Sequence, residues 1–494
     1  MKKPFIFFIS IIVLLALCIW ALWPEHTKTS DNKTLTLYCA AGLRVPVSEI
    51  IADYEKETGR TIKVTYNGSG ALLTQLKIGG GDLYIPAHND YIQTAAQQNL
   101  TAEVIPAVEM TAVIVVSKDN TTIHTLHDLT QSGVRISLGD PSAAIGKFTR
   151  ETLKKHNLLD PVKKNATVTK PTVNNIIEDV ALGSVDATIA WGAVAKNYPK
   201  LKTISVPIFE DNPGKINIAV LRSSQEPTAA LHFARYLTAK DKGLKTFQKY
   251  HFKTTARPDI WADTPKILLF SGSMLRPAID NRIHAFEKRE GCRISTVYEG
   301  CGTLVSQMKA GASPGFYFSC DTTFLDQVQD RFEPGTIVTQ NEIVLLVPNG
   351  NPKNILTLED IARPGLKIGL AHPVKSALGK LTHVMLEKSN HLAPLQQSGN
   401  IIIMASKGDE LVTQMQAGAL DAALIYRSNA LASEAISKHS TIISLNRPDA
   451  IATQPYATAL DTPHPNLLHR LGTYLSNEEA KKSFLHYGFT WGKE

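Results

Sequence analysis

The sequence has little of what specialised chemistry requires. It holds five cysteines in 494 residues, none in a C-x-x-C pair, which excludes a fold built on disulfides. It has no metalloprotease H-E-x-x-H and no P-loop with its lysine, and it reads as having no nucleophile elbow. A formal charge of +7 is spread along the whole length, with no dense Lys/Arg block interleaved with aromatics. That pattern excludes a nucleic-acid groove and supports only a general preference for anions. No catalytic residue, cofactor or metal is expected. His88 beside Asp90 reads as a polar loop histidine. Asp140 and His372 hold matching places in separate domains.

What is present is ordinary globular composition, 43% hydrophobic and 20% charged, at a length that calls for more than one core. Lys2 and Lys3 precede an uncharged run, Pro4 to Trp23, about long enough to cross a bilayer. Residues 1–24 are therefore expected to be an uncleaved signal anchor, with a cleaved signal peptide as the alternative, and 25–34 a polar tether. The two lysines place the remainder outside the cytoplasm, in the periplasm or its equivalent, where Cys39, Cys292, Cys301 and Cys320 meet oxidising conditions.

The chain then repeats itself. "LTLYCAAGLRVPV" from Leu35 answers "ILLFSGSMLRPAI" from Ile267, and "IADYEKETGRTIKVTYNGSG" from Ile51 answers "IHAFEKREGCRISTVYEGCG" from Ile283. Four further pairs follow in the same order, ending with "TFQKYHF" from Thr246 against "SFLHYGF" from Ser483. Such internal similarity marks a duplication. It gives a first domain at 35–252, a linker at 253–265 rich in proline and polar residues, and a second domain at 266–494. Each copy alternates short apolar strands with amphipathic helices, which predicts an α/β fold with a parallel sheet covered on both faces. The runs Thr111–Ser117 and Glu342–Pro348 read as strands crossing into a second lobe. Strands ending in small residues before a helix start, as at "YNGSG" and "GDPSAAIG", leave unpaired N–H groups that favour an anion.

Taken in order, the motifs "LTLYCAAGL", "EKETGRTIKVTYNGSGALLTQL", "GGGDLYIPA", "RISLGDP" and "DATIAWG" are similar to those of the periplasmic molybdate-binding proteins of ABC transporters. The resemblance covers both copies from Leu35 onward. It implies two tandem type II periplasmic-binding-protein domains, each of two lobes, holding a tetrahedral oxyanion through neutral donors. Carried across, the ligand positions of the first domain are Gly42, where the family's first serine hydroxyl is missing, Ser69, Ile145, Gly146, Val173 and Trp191. In the second domain they are Met274 with Ser273 beside it, Cys301, Leu378, Gly408 and Tyr426. Arg44 and Arg276 stand just inside the first helix of each copy, either directed into the cleft or solvated on the helix surface. Cys301 and Cys320 both follow strands expected to be neighbours; they form a disulfide, serve as two soft ligands, or are buried thiols without a role. Cys39 is expected in the core. The resemblance implies an extracytoplasmic binding protein that delivers a small anion, molybdate or tungstate first, to an ABC permease. The alternative is a membrane-tethered sensor or scaffold that uses these domains as ligand sensor or docking surface.

Overall fold

The computed structural model describes residues 34–254, 257–432 and 434–492. The expected anchor, 1–24, and most of the tether lie outside the described residues. Among the described residues no helix is long and apolar enough to cross a membrane.

Each copy begins with the same local solution. Strand β1 (Leu35–Ala40) leads through a 3-10 turn, Ala41–Leu43, into the helix Arg44–Thr58. Val47, Ile50, Ile51 and Tyr54 bury one face of that helix, the spacing of an amphipathic element lying on a sheet. Gly59, at φ 70°, ends it by donating to the Glu55 carbonyl, a left-handed position where a side chain would be strained. The Glu55 carboxylate then accepts from the Ile62 N–H at 2.8 Å and starts β2 (Ile62–Asn67). In the second copy Gly291 has φ 66° and Glu287 accepts from the Ile294 N–H at 2.6 Å. Likewise Asp128 and Asp360 each accept from the N–H of the threonine three residues earlier. The duplication extends to individual hydrogen bonds.

In the first domain, one lobe is built on a six-stranded sheet of order β11-β4-β10-β3-β1-β2, with β3 at Leu83–Ile85, β4 at Thr101–Met110, β10 at Gly214–Leu221 and β11 at Lys253–Thr254. The other lobe has five strands in the order β7-β6-β8-β5-β9, comprising β5 (Ala112–Ser117), β6 (Ile136–Gly139), β7 (Ala166–Lys170), β8 (Ala187–Trp191) and β9 (Leu201–Ile204). The sheets are mixed rather than parallel. β1, β2 and β3 run parallel, but β10 returns antiparallel to β3 and β4, and β5 is antiparallel to β8 and β9. Chain returning from the far lobe must re-enter the first sheet, and these return strands reverse its direction. The segment expected to be linker also starts as strand, since β11 pairs with β4.

The second domain repeats this with β12 (Lys266–Gly272), β13 (Arg293–Glu299), β14 (Phe316–Phe318), β15 (Thr336–Pro348), β16 (Ile368–Ala371), β17 (Ile401–Ala405), β18 (Ala422–Tyr426), β19 (Ser440–Ser444), β20 (Ile451–Thr458) and β21 (Thr490–Trp491). One element differs. Where the first copy breaks between β4 and β5 at Thr111, the second runs a single 13-residue strand, β15, through both lobes.

The two domains are joined by a buried ionic junction. Glu290, 1% exposed, receives Arg470 through two bonds of 2.7 and 2.9 Å and Arg235 of the first domain at 3.3 Å. Arg289 pairs bidentately with Glu103 across the same seam. Linker residue Asp259 accepts from the N–H groups of Asn466 and Leu467 and so caps the helix Pro465–Tyr474. Burial alone would push the Glu290 carboxyl up, but the Arg470 and Arg235 guanidiniums outweigh it and hold it below its ordinary value. Glu290→Ala leaves two arginines buried without their partner, and denaturant unfolding should show a loss of roughly 3–5 kcal/mol.

His232, beside the seam, bonds Tyr54 at 2.8 Å and Asp263 at 2.9 Å. Burial lowers its pKa from 6.5 to about 4. The unfolded chain therefore takes a proton that the folded chain refuses, so this contribution is complete above pH 6.5 and is lost as pH falls toward 4. The melting temperature of His232→Gln should depend less on pH across that window than that of the parent.

Candidate functional site

Between the lobes of the first domain lies a cavity lined by Ala40, Ala41, Gly42, Asn67, Gly68, Ser69, Ala87, Ala143, Ala144, Ile145, Thr172, Val173 and Trp191. None of these side chains is charged. What gathers around the cavity is helix starts: the turn Ala41–Leu43 leading into Arg44–Thr58, and the helices Ser69–Gly79, Ala144–Lys155 and Val173–Ala181. First-turn N–H groups have no partner within their own helix, and four positive helix ends meeting at one place favour negative charge there.

Ser69 supplies the best-placed hydroxyl. It is 1% exposed, its Oγ accepts from the Ala87 N–H at 3.1 Å, and its carbonyl accepts from the Tyr84 hydroxyl at 2.8 Å. With its oxygen already accepting, the hydroxyl proton is left to donate. The cavity leaves about 20 Å³ for the centres of water-sized groups, which with a ~1.4 Å water radius added is a hole about 3 Å in radius. That suits a small, compact anion. The lobes are closed on it: Gly70 N–H donates to the Ser142 carbonyl at 3.0 Å, and Tyr91 donates to the same oxygen at 2.7 Å.

Of the residues expected from the sequence, Gly42, Ser69, Ile145, Val173 and Trp191 line this cavity. Gly146 does not. A Cβ there would fall 2.0 Å from the Asp140 carbonyl oxygen, so Gly146 serves the close packing of its helix on β6. Arg44 is also elsewhere, exposed and lying over the Tyr66 ring at 4.7 Å. Its counterpart Arg276 is 63% exposed, over the Tyr298 ring and near Asp280. Neither arginine is directed into a cleft. His88 caps the helix Asn89–Gln97 and stacks 6.4 Å from Trp191. Asp140 and His372 play one turn role, accepting from Ser142 N–H and Val374 N–H respectively.

In the second domain Ser273, Met274, Cys301, Leu378, Gly408 and Tyr426 are all buried at the corresponding places. Lobe contact is again present, through Thr303 N–H to the Lys375 carbonyl and the Lys407–Glu299 ion pair. Cys301 and Cys320 follow β13 and β14, which are not neighbours, because β12 lies between them. The thiols nevertheless meet over Gly272, where a Cβ would be 2.1 Å from Cys320 Sγ and 3.2 Å from Cys301 Sγ. Both are free thiols, as are Cys39 and Cys292. Cys39 is a core residue whose thiol pKa burial pushes up. Sequence reasoning missed Thr172 and Ala87 in the first cleft, and Ser428, Asn429 and Asn341 in the second. None of them belongs to a glycine turn, although Ala87, Thr172 and Ser428 each stand just past a strand end.

One string does carry G-x-S-x-G spacing, "GASPG" at Gly311–Gly315. It joins the helix Cys301–Lys309 to β14, the reverse of the strand-to-helix turn that exposes a nucleophile, and Ser313 there accepts from Arg331.

The family model for bacterial extracellular solute-binding protein matches residues 35–253 and again 267–490. The chain belongs to this family, in two tandem copies. It is 29% identical over 43% of its length to 88% of a binding protein of Haemophilus influenzae whose own assignment is provisional. It is 22% identical over 46% of its length to 90% of the molybdate-binding protein ModA of Escherichia coli. Among solved structures, the periplasmic molybdate-binding protein of Azotobacter vinelandii aligns with 44% of this chain and 98% of its own, at 15% identity and a TM-score of 0.39. The sulfate-binding protein SubI of Mycobacterium tuberculosis aligns with 46% of this chain and 88% of its own, at 17% identity and a TM-score of 0.41.

The hydroxyl missing at Gly42 is missing for a steric reason. A Cβ there would lie 2.8 Å from Val173 Cγ1 and 3.2 Å from Val194 Cγ2. Gly42→Ser should therefore lower thermal stability, by about 1–3 kcal/mol as overpacked cores do, and the double change with Val173→Ala should recover most of it.

Proposed function

We propose that this solute-binding protein holds a small, fully deprotonated oxyanion in its first cleft, molybdate or tungstate foremost, and delivers it from the extracytoplasmic side to an ABC-type permease. The observation that carries this reading is the first cavity itself: uncharged walls, four helix N-termini and the Ser69 hydroxyl. Donors without a counter-charge hold an anion through hydrogen bonds rather than an ion pair. They also penalise an anion that keeps a proton, as phosphate does at neutral pH, because that proton then needs an acceptor. Release follows from lobe opening, which breaks the Gly70–Ser142 and Tyr91–Ser142 bonds and separates helix starts contributed by the two lobes. The membrane anchor at 1–24 keeps the protein beside its permease in this reading.

Calorimetric titration of the full chain tests it. Molybdate or tungstate should bind tightly at one site per chain, more tightly than phosphate. Ser69→Ala should weaken that site by roughly tenfold to a hundredfold, the cost of one lost donor to a buried charged ligand. Absence of heat with every oxyanion, or affinity unchanged in Ser69→Ala, overturns the assignment.

A further inference from the structure

The second cleft differs from the first in its buried polar chemistry. At matching positions Ser69, Ala87, Trp191, Ala193 and Val194 are replaced by Cys301, Cys320, Tyr426, Ser428 and Asn429, and Met110 by Asn341. Apolar or singly hydroxylated wall has become a wall of thiols, hydroxyls and amides.

Several of these groups have no partner in the protein. The Tyr426 hydroxyl, Ser428 Oγ, Asn429 Oδ1 and Asn341 Nδ2 are all buried without a hydrogen bond. Tyr426 is 2% exposed. Burial raises its hydroxyl pKa well above the ordinary value, and it takes the place of Trp191, which lines the first cavity together with Ser69 and Ala87, the counterparts of Cys301 and Cys320. Asn429 Oδ1 reaches the start of the helix Gly408–Gln416, 2.4 Å from where a Gly408 Cβ would stand. In the first domain Val173 and Val194 fill that region. Buried polar groups without partners are rare in folded proteins and point to something that supplies the missing bonds.

The thiols are prepared as well. Cys301 opens the helix Cys301–Lys309, and its sulfur accepts from the Cys320 N–H at 3.1 Å. Burial alone would raise the Cys301 thiol pKa, but bonds from the Cys320 thiol and N–H, Tyr317 and Ser319 bring it below its ordinary value, while Cys320 rises. Cys301 is thus the more nucleophilic sulfur of the pair.

A bare metal ion would leave the hydroxyls and amides unused. Among the described residues no group of three or more His, Cys, Asp or Glu side chains is arranged to hold one. An oxyanion such as molybdate would find sulfur, a poor donor, where the first cleft offers serine. The set matches a ligand that carries both a thiophilic centre and oxygen.

We propose that the second cleft is a dithiol site for a trivalent arsenic oxyacid: Cys301 and Cys320 bond the arsenic, and Tyr426 with the neighbouring amides holds the remaining hydroxyl. In the step, two As–O bonds of arsenious acid break and two As–S bonds form. Each departing hydroxyl takes up one thiol proton, so two waters leave. Arsenic remains trivalent, and no oxidant or reductant is required. The site does not depend on which anion the first cleft holds.

The test uses the full chain with its thiols free and sodium arsenite as the probe, followed by native mass spectrometry. One arsenic per chain with loss of two waters is expected. The adduct should be abolished in Cys301→Ser and in Cys320→Ser, retained in Cys39→Ser, Cys292→Ser and Ser69→Ala, and weakened by roughly tenfold in Tyr426→Phe. Arsenic-edge X-ray absorption on the unmutated chain should show two sulfur neighbours and one oxygen, a readout independent of how the variants fold. No adduct, an adduct that survives both cysteine changes, or a Cys301–Cys320 disulfide in chain isolated without reductant overturns the proposal.

Discussion

The structure depends on backbone N–H groups that helix geometry leaves unpaired. In the first domain four helix starts meet at one cavity, and the donors exposed there cannot be satisfied by extending their own helices. The surrounding wall follows from this. Glycine and alanine at the helix starts let backbone approach backbone, as where Gly68 and Gly70 face the Pro171 and Ser142 carbonyls. Neutral side chains leave the positive helix ends uncompensated.

The two clefts show how one frame can carry two chemistries by exchanging volume. In the first, Gly42 is bare because Val173 and Val194 occupy the space above it. In the second, Gly408 is bare and Asn429 stands over it, while Met274 fills the position of Gly42. The side chains change places and the backbone is retained, as a close-packed interior requires when its elements are fixed from outside. That outer fixing includes the Glu290 junction, which ties the helix Pro227–Thr238 of one domain to the helix Arg276–Glu290 of the other.

The duplication, the strand-to-helix turns and Ser69 were legible in the sequence because each rests on local pattern. Gly59 and Gly291 mark helix ends through their backbone freedom, and "YNGSG" announces a helix start. The sheet's reversal at β10 and β20 was not legible, since an apolar strand reads alike in either direction. Arg44 and Arg276 were ambiguous for a related reason: one residue inside a helix start, rotation by a fraction of a turn decides between cleft and solvent, and the Tyr66 and Tyr298 rings that hold them outside are contributed by another strand. Asn429 and Ser428 became visible only when β15 and β18 were seen to place them beside Asn341. That Cys301 and Cys320 lie at one sheet edge was legible from each following a strand, but the strands were expected to be neighbours and β12 separates them.

The continuous strand β15 makes the two domains different mechanical objects. The first domain interrupts its crossing strand at Thr111, which leaves a joint of one residue outside the strand ladders at that crossing. The second carries unbroken strand through the same crossing, and Glu342, the residue in Thr111's place, is held by Arg427 at 2.6 Å. Opening that domain bends a leaf spring, with the restoring force distributed along a ladder of backbone hydrogen bonds. A crossing built as a spring resists bending along its whole length, whereas one built as a joint yields at one place.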